Sequence, residues 1–281
     1  MIPARFDYDV AESVEHAIEL LGAVGGDAKL LAGGHSLIPA MKLRIARPAK
    51  LVDIGRLSDL AYVKDGGTQI AVGALTRHAT VAADATLAEH CPIVSFTAAQ
   101  IGDPQVRHCG TLGGTLAHGD PASDMPAVML ALGADLVVRG KGGERVVPAT
   151  EFFTGVFETA LAPDEVLVEA RVPKLAGSTG WSYVKANRRA QDWATVGVAA
   201  LVHRDNGSIA GASIGLVNMG ATPLRAKAAE DALAGGSSAA DAAMLVTEGA
   251  EPPSDHSGSS EYRAHLAQVM ARRALEQALG D

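Results

Sequence analysis

The sequence predicts an α+β fold in two parts. Two observations carry this. Over the first ~175 residues, short apolar runs of strand length alternate with longer segments whose apolar residues recur at helical spacing. After Lys174-Leu175-Ala176-Gly177-Ser178-Thr179-Gly180, a small, polar and flexible stretch, the pattern changes to three consecutive strand-like runs followed by helices. The expected division is residues 1–176 and residues 177–281.

The elements follow in order. Ser13 precedes Val14, Ala17, Ile18 and Leu21, an apolar stripe of helical period, and Gly25-Gly26 stops that helix. Lys29 to Ala32 reads as a short buried strand, Leu51 to Ile54 as a second and Gln69 to Val72 as a third. Leu87 to Ile101 predicts one helix, with Pro92 near its start or kinking it, and Asp103-Pro104 ends it. Pro126 to Leu132 is apolar and helical. Ala134 to Val138 and Glu144 to Val147 form a hairpin around Gly140 to Gly143, and Val166 to Val172 closes the first part.

In the second part, Trp181 to Ala186, Ala194 to His203 and Ser208 to Met219 predict a three-stranded antiparallel sheet. Asn206-Gly207 is a strong hairpin signal between the last two strands. Pro223 opens a helix over Leu224 to Leu233, and a terminal helix runs from Glu261 to Leu279. The helices back the sheet.

Composition bounds the function. Apolar residues make up 48% of the 281 and charged residues 20%, enough to bury a core. A net charge of −8 argues against a nucleic-acid surface, which needs a basic face. No apolar run approaches the ~18 residues of a membrane span. Met1 to Asp7 lacks the apolar core of a signal peptide, so the expected location is cytoplasmic, with membrane contact only through partners. Two cysteines, Cys91 and Cys109, cannot supply the four ligands of an iron–sulfur cluster or a structural zinc site. Cys91 reads as a small core residue. Cys109 lies beside His108, but adjacent residues of extended chain point apart, which disfavours a thiol nucleophile. The nine histidines contain no His-x-x-x-His or His-Glu-x-x-His, so no metal site is expected.

Glycine is abundant, 31 of 281 against an ordinary ~7%. Two glycine-rich loops stand out: Ala32-Gly33-Gly34-His35-Ser36 and Thr111-Leu112-Gly113-Gly114-Thr115. Glycine reaches positive φ without a Cβ clash, so successive N–H groups can turn toward one concavity and bind an anion. Two such nests would suit a diphosphate, with one phosphate near each loop, and so a dinucleotide. The pattern also allows two ordinary turns. Neither Gly-x-Gly-x-x-Gly nor Gly-x-x-x-x-Gly-Lys-Ser/Thr is present, so the common nucleotide loops do not account for the glycines.

With Ile38-Pro39, Met41-Lys42, Ile101-Gly102-Asp103 through Arg107, Asp120 to Asp124, and Lys185 through Ala194, these loops carry a resemblance that runs nearly end to end. The chain resembles the FAD-binding medium subunit of molybdenum hydroxylases, the group that includes aerobic carbon monoxide dehydrogenase. The resemblance implies a two-part FAD-binding domain of the vanillyl-alcohol-oxidase, or PCMH, type. A smaller carbon monoxide dehydrogenase flavoprotein C-terminal-like domain follows. It implies non-covalent FAD in this chain, and a large molybdopterin subunit and a small subunit with two [2Fe–2S] clusters as partners. The implied assembly is a dimer of heterotrimers.

The resemblance also implies roles. Leu30 to Leu37 and Thr111 to Thr115 would hold the diphosphate, and Ile101 would pack on the cofactor. Asp124 would accept a hydrogen bond from the cofactor, or else cap the helix ahead of Met125 and Pro126. Trp193 would stand against the flavin ring, or else fill a core. Lys185 and Lys227 are further candidates, though lysines are usually solvated. Arg188-Arg189 would steer an anion or a partner, or simply lie on the surface. No acid, base or nucleophile constellation is found, and no catalytic residue is expected: the cofactor carries the chemistry. The expected function is electron transfer, from a partner's clusters to an acceptor such as quinone. Two readings of other classes stay open, a stand-alone flavin oxidoreductase and a non-enzymatic flavin or nucleotide binder. For the complex's substrate, the His118 to Asp124 stretch looks most like the carbon monoxide branch. Aldehydes and N-heterocycles such as nicotine remain alternatives.

Overall fold

The computed structural model describes residues 2–280. The first part opens with β1 (Asp7–Val10), α1 (Val14–Gly22), β2 (Ala28–Leu31), α2 (Leu37–Lys42) and β3 (Lys50–Asp53). The three strands form a parallel sheet in the order β1-β3-β2. Ser13 caps α1 by accepting the His16 N–H at 3.0 Å, and Val14, Ala17, Ile18 and Leu21 are all buried, as the spacing predicts.

There follow β4 (Val63–Asp65), β5 (Gln69–Gly73), α3 (His78–Ala83), α4 (Ala85–His90), α5 (Pro92–Ala99), α6 (Pro104–Cys109), α7 (Leu112–His118) and α8 (Asp124–Leu132). The hairpin β6 (Asp135–Gly140) and β7 (Gly143–Pro148) comes next, then α9 (Ala149–Phe152), β8 (Phe153–Gly155), β9 (Glu158–Thr159) and β10 (Val166–Pro173). A second, antiparallel sheet has the order β4-β5-β10-β6-β7, so β10 does close the first part, at the centre of its larger sheet.

The single helix predicted over Leu87 to Ile101 is two. Cys91, at φ −148° and ψ 60°, separates α4 from α5. Pro92 pushes the residue before it out of the helical region and begins the next helix, where a missing N–H costs nothing. Cys91 is fully buried, and burial pushes its thiol up to about 12. Asp103-Pro104 ends one helix but also starts α6, with Asp103 accepting the Val106 N–H at 2.9 Å.

In the second part, β11 (Thr179–Ala186), β12 (Val196–Asp205), β13 (Ser208–Val217) and β14 (Leu224–Arg225) form an antiparallel sheet in that order. The sheet has four strands, not three. Leu224 and Arg225 pair with Leu216 and Gly215, and the helix predicted from Leu224 starts at Lys227. At the β12–β13 turn Asn206 and Gly207 both have positive φ, 50° and 85°, as the Asn-Gly signal requires. The helices α10 (Lys227–Ala234), α11 (Ala239–Met244) and α12 (Ser260–Leu279) complete the part. They share an apolar core with one face of the sheet. The other face meets α8 so closely that a Cβ on Gly215 would collide with the Ala127 carbonyl. Among the described residues, no helix is long and apolar enough to cross a membrane.

Candidate functional site

The parallel strand β2 delivers the first glycine loop. Its last carbonyl, Leu31 O, is held by Ile54 N–H at 3.0 Å. The chain then turns through Gly34, whose φ of +73° is the left-handed region that a Cβ disfavours. Gly34 O takes the Ile38 N–H at 3.0 Å and so starts α2. Among the described residues, the N–H groups of Gly33, Gly34, His35 and Ser36 have no protein acceptor. Four successive free donors in a turn are the nest that the sequence suggests, and they suit an anion.

The second loop is not a nest. Leu112 N–H donates to Thr76 O at 3.0 Å and Gly113 N–H to Ala74 O at 2.8 Å. Gly114 N–H donates to Thr111 Oγ1 at 3.1 Å. The segment is a capped helix start docked on the end of β5, and the protein already uses its donors. What it adds is close approach. A Cβ on Gly33 would lie 2.8 Å from Gly110 Cα and would strike the Cys109 carbonyl. A Cβ on the exposed Gly114 would lie 4.0 Å from Ala32 Cβ. The first loop therefore meets, backbone on backbone, the Cys109-Gly110 segment that leads into the second loop, and side chains there would fill the cradle beside the free donors. This arrangement fits the diphosphate of a dinucleotide.

A second cluster lies beyond α7. Thr115 Oγ1 donates to Ser123 Oγ at 3.4 Å, and Ser123 immediately precedes Asp124. Ser123, not Asp124, is the N-cap of α8. The Asp124 carboxylate is instead occupied by β11: Tyr183 Oη donates to Oδ1 at 2.5 Å and Lys185 Nζ to Oδ2 at 2.9 Å. Lys185 Nζ also reaches Gln100 O at 3.4 Å, next to Ile101. Arg107 Nη1 donates to Ile101 O at 3.0 Å, which fixes the half-buried Ile101 on the core. Burial pushes the Asp124 carboxyl up, against the pull of Lys185, and burial beside Asp124 pushes the Tyr183 phenol well above its usual range. Sequence reading missed Tyr183, Gln100 and Arg107. Tyr183 had a signal: it shares a strand face with Lys185 two residues on.

The remaining candidates divide. Trp193 is 66% exposed on the β11–β12 loop, so the core reading of this residue is overturned. Arg188 and Arg189 are exposed on the same loop, which Asn187 Nδ2 pins to Arg189 O at 2.7 Å. Lys227 lies elsewhere, paired at 3.1 Å with Glu230 on α10. His108 Nδ1 lies 2.7 Å from Pro104 O, back along α6, which leaves Cys109 without a base.

A row of free backbone donors that suits a diphosphate points to the class of dinucleotide-binding proteins, and comparison with known proteins gives the family. Residues 4–175 match the model described as the FAD binding domain in molybdopterin dehydrogenase, and residues 181–278 match the CO dehydrogenase flavoprotein C-terminal domain. The carbon monoxide dehydrogenase medium chain of Afipia carboxidovorans is 42% identical, over 99% of this chain and 98% of that protein. The 6-hydroxypseudooxynicotine dehydrogenase complex subunit alpha of Paenarthrobacter nicotinovorans is 40% identical, over 99% and 96%. A solved carbon monoxide dehydrogenase from Hydrogenophaga pseudoflava superposes with a TM-score of 0.96 at 42% identity, over 100% of this chain and 99% of that one. The chain belongs to the FAD-binding family of molybdopterin dehydrogenases. It has that family's α+β architecture, an FAD-binding part followed by the flavoprotein C-terminal part, and is an oxidoreductase flavoprotein subunit.

Proposed function

We propose that this chain is the FAD-carrying electron-transfer subunit of a molybdenum hydroxylase complex of the carbon monoxide dehydrogenase type. In this reading it takes electrons from [2Fe–2S] clusters of a small partner subunit and passes them to an acceptor such as quinone. A large subunit holds the molybdopterin, the assembly is a dimer of heterotrimers, and the complex works in the cytoplasm. Residues 1–176 form the FAD-binding domain and 177–281 the C-terminal domain. The observation that carries the cofactor reading is the row of four free N–H groups from Gly33 to Ser36, closed in by the Cys109–Gly110 backbone.

The bound flavin supplies the redox chemistry; the protein's part is to bind, orient and shield it. The first loop holds the diphosphate with backbone donors. Gly113 and Gly114 let α7 start close by without side chains in the way. Ile101 gives an apolar contact, held from behind by Arg107. Asp124, held on both oxygens by Tyr183 and Lys185, would present this fixed polar cluster to the cofactor. Trp193, exposed on its loop, would stand against the flavin ring.

Carbon monoxide is the preferred substrate of the complex, on the identity to the medium chains. The pseudooxynicotine relative stands only two percentage points away, 40% against 42%, which keeps an N-heterocycle hydroxylase as the second reading. Substrate chemistry lies in the large subunit. The test is expression of this chain alone and with its two partner chains, followed by carbon monoxide or an N-heterocycle and an artificial dye. Alone, the chain binds FAD, and substrate does not bleach it. With partners, substrate reduces clusters, flavin and dye. Bleaching by the isolated chain would establish a stand-alone oxidoreductase instead.

A further inference from the structure

Trp193 and Asp124 belong to different parts of the chain, yet one residue ties the roots of both. Trp193 lies near the end of the β11–β12 loop. Within that loop, Asn187 Nδ2 donates to Arg189 O at 2.7 Å and to Ala190 O at 3.3 Å. Arg189 N–H donates to Asp192 Oδ2 at 3.2 Å. Thr195 N–H closes the loop by donating to Ala186 O at 2.8 Å. The two carbonyls after Trp193 are then taken by Asn218, whose Nδ2 donates to Ala194 O at 2.9 Å and to Thr195 O at 3.4 Å. Arg263, buried on α12, donates to Thr195 O as well, so it shares one of these carbonyls and not the other.

The backbone of the same residue holds the other part. Asn218 N–H donates to Pro121 O at 2.8 Å. Pro121 lies in a short turn built on Asp120: Ala122 N–H donates to Asp120 Oδ1 at 2.9 Å and Ser123 N–H to Asp120 O at 3.0 Å. That turn delivers Asp124 to the start of α8. Asn218 itself sits one residue past β13, with φ +62°. Glycine reaches this region freely, and asparagine is one of the few other residues that visit it. Glycine would supply the turn without an amide. Asparagine supplies both.

We propose that Asn218 is a positioning residue that sets Trp193 in register with the Asp124–Lys185 cluster, so that a flavin ring meets both already aligned. The inference rests on the FAD reading above. A left-handed residue other than glycine is backbone strain, and such strain gathers at functional sites. The bonds of Asn218 lie outside the β12–β13 ladder, which ends at Gly197 and Val217. Each goes to a segment that leads directly to Trp193 or to Asp124. Lys185 enters the same linkage, because the Ala186 carbonyl that closes the loop is the next residue along β11. Groups fixed before binding need less ordering when the ligand arrives. The first glycine loop stands apart from this linkage, held by Ile54 N–H and by its own bond into α2. Gripping the diphosphate and aligning the ring are therefore separable.

The test titrates the full chain with FAD in a Trp181→Phe parent, where Trp193 is the one remaining tryptophan of two. The new phenyl ring keeps an aromatic partner for Phe96. FAD binding should quench Trp193 emission in this parent. Asn218→Gly keeps the left-handed turn and removes the amide. Asn218→Asp keeps the shape and, ionised at mildly alkaline pH, removes the donor. Both variants should hold their far-UV circular dichroism and bind FAD with at most about tenfold lower affinity. At saturating FAD both should nevertheless lose most of the quenching. Parent-like quenching in either variant would overturn the proposal. So would a parent that binds FAD without quenching, because Trp193 would then stand away from the ring. Loss of far-UV signal or of FAD binding in both variants would overturn it too, by making Asn218 part of the scaffold itself. A parent that binds no FAD would overturn the cofactor reading, and this inference with it.

Discussion

Lys185 Nζ lies 2.9 Å from Asp124 Oδ2, with the two side chains only 3% and 7% exposed, and the pair ties β11 of the C-terminal sheet to α8 of the first part. Tyr183, two residues before Lys185, takes the other carboxylate oxygen. One strand therefore satisfies both oxygens of a carboxylate from the other part. Buried pairs of this kind add little net stability, because desolvation offsets attraction. They do fix position.

Removing one member should be severe. Lys185→Met leaves Asp124 buried without its cation, and such a loss costs about 3–5 kcal/mol. The double variant Lys185→Met with Asp124→Asn should regain part of that stability, since no uncompensated charge remains. FAD affinity should stay low in both. Urea unfolding and flavin titration separate the two effects. Wild-type FAD affinity in the double variant would limit the pair to architecture.

A pH dependence should come from His78. Its ring is buried, its Nδ1 has no partner among the described residues, and its backbone N–H donates to Gly110 O at 3.0 Å, just before the second loop. Burial, with some help from Arg107, pushes its pKa down to about 4. The unfolded chain takes up this proton near pH 6.5, and the folded chain only near 4. The stability linked to His78 is therefore present above pH 6.5 and lost as pH falls toward 4, by up to roughly 3 kcal/mol. His78→Phe should flatten the urea midpoint between pH 4.5 and 7. An unchanged acid slope would assign the effect to other groups.

What the sequence reveals follows the range of the interaction. The cap and stripe of α1 and the Asn206-Gly207 turn are local, and both stand as read. Cys91 breaks a continuous helical pattern because Pro92 restricts its backbone, an effect that periodicity does not register. Strand β14 is two residues long, too short for any period, and exists only because β13 offers it an edge. Of the two glycine loops, the motif tells that both approach something closely. It does not tell that Thr111 and Ala74 consume the donors of the second. Asp124 and Lys185 are 61 residues apart, and nothing local announces their meeting.

The two loops should therefore answer differently to the same substitution. Gly33→Ala places a methyl group against the backbone of Cys109 and Gly110, which cannot move without opening the cradle. Strain of about 1–3 kcal/mol there should weaken FAD binding about ten- to a hundredfold with little change in far-UV circular dichroism. Gly113→Ala places its methyl group against Ala74, with Ala74 Cα 2.8 Å away, under a bond that docks α7 on β5. It should lower the melting temperature of the apoprotein itself. Equal loss of flavin and fold in both variants would make the first loop as structural as the second.

FAD should be held without a covalent bond, one per chain. Attachment would need a nucleophilic side chain at the flavin ring, whereas on the proposed reading the first glycine loop serves the diphosphate. His35 is the one histidine within either loop, and it lies exposed among the free N–H groups that would face a phosphate. Cys109 precedes the second loop, exposed and without a base, since His108 is turned back to Pro104. Neither is prepared to attack a flavin. Acid precipitation of the purified holoprotein should leave a colourless pellet and release all flavin to the supernatant. Chromatography should show that flavin to be FAD, at one equivalent per chain. A yellow pellet would overturn the non-covalent reading, and peptide mapping would locate the bond. FMN in the supernatant would mean that the four donors from Gly33 to Ser36 hold one phosphate and not a diphosphate.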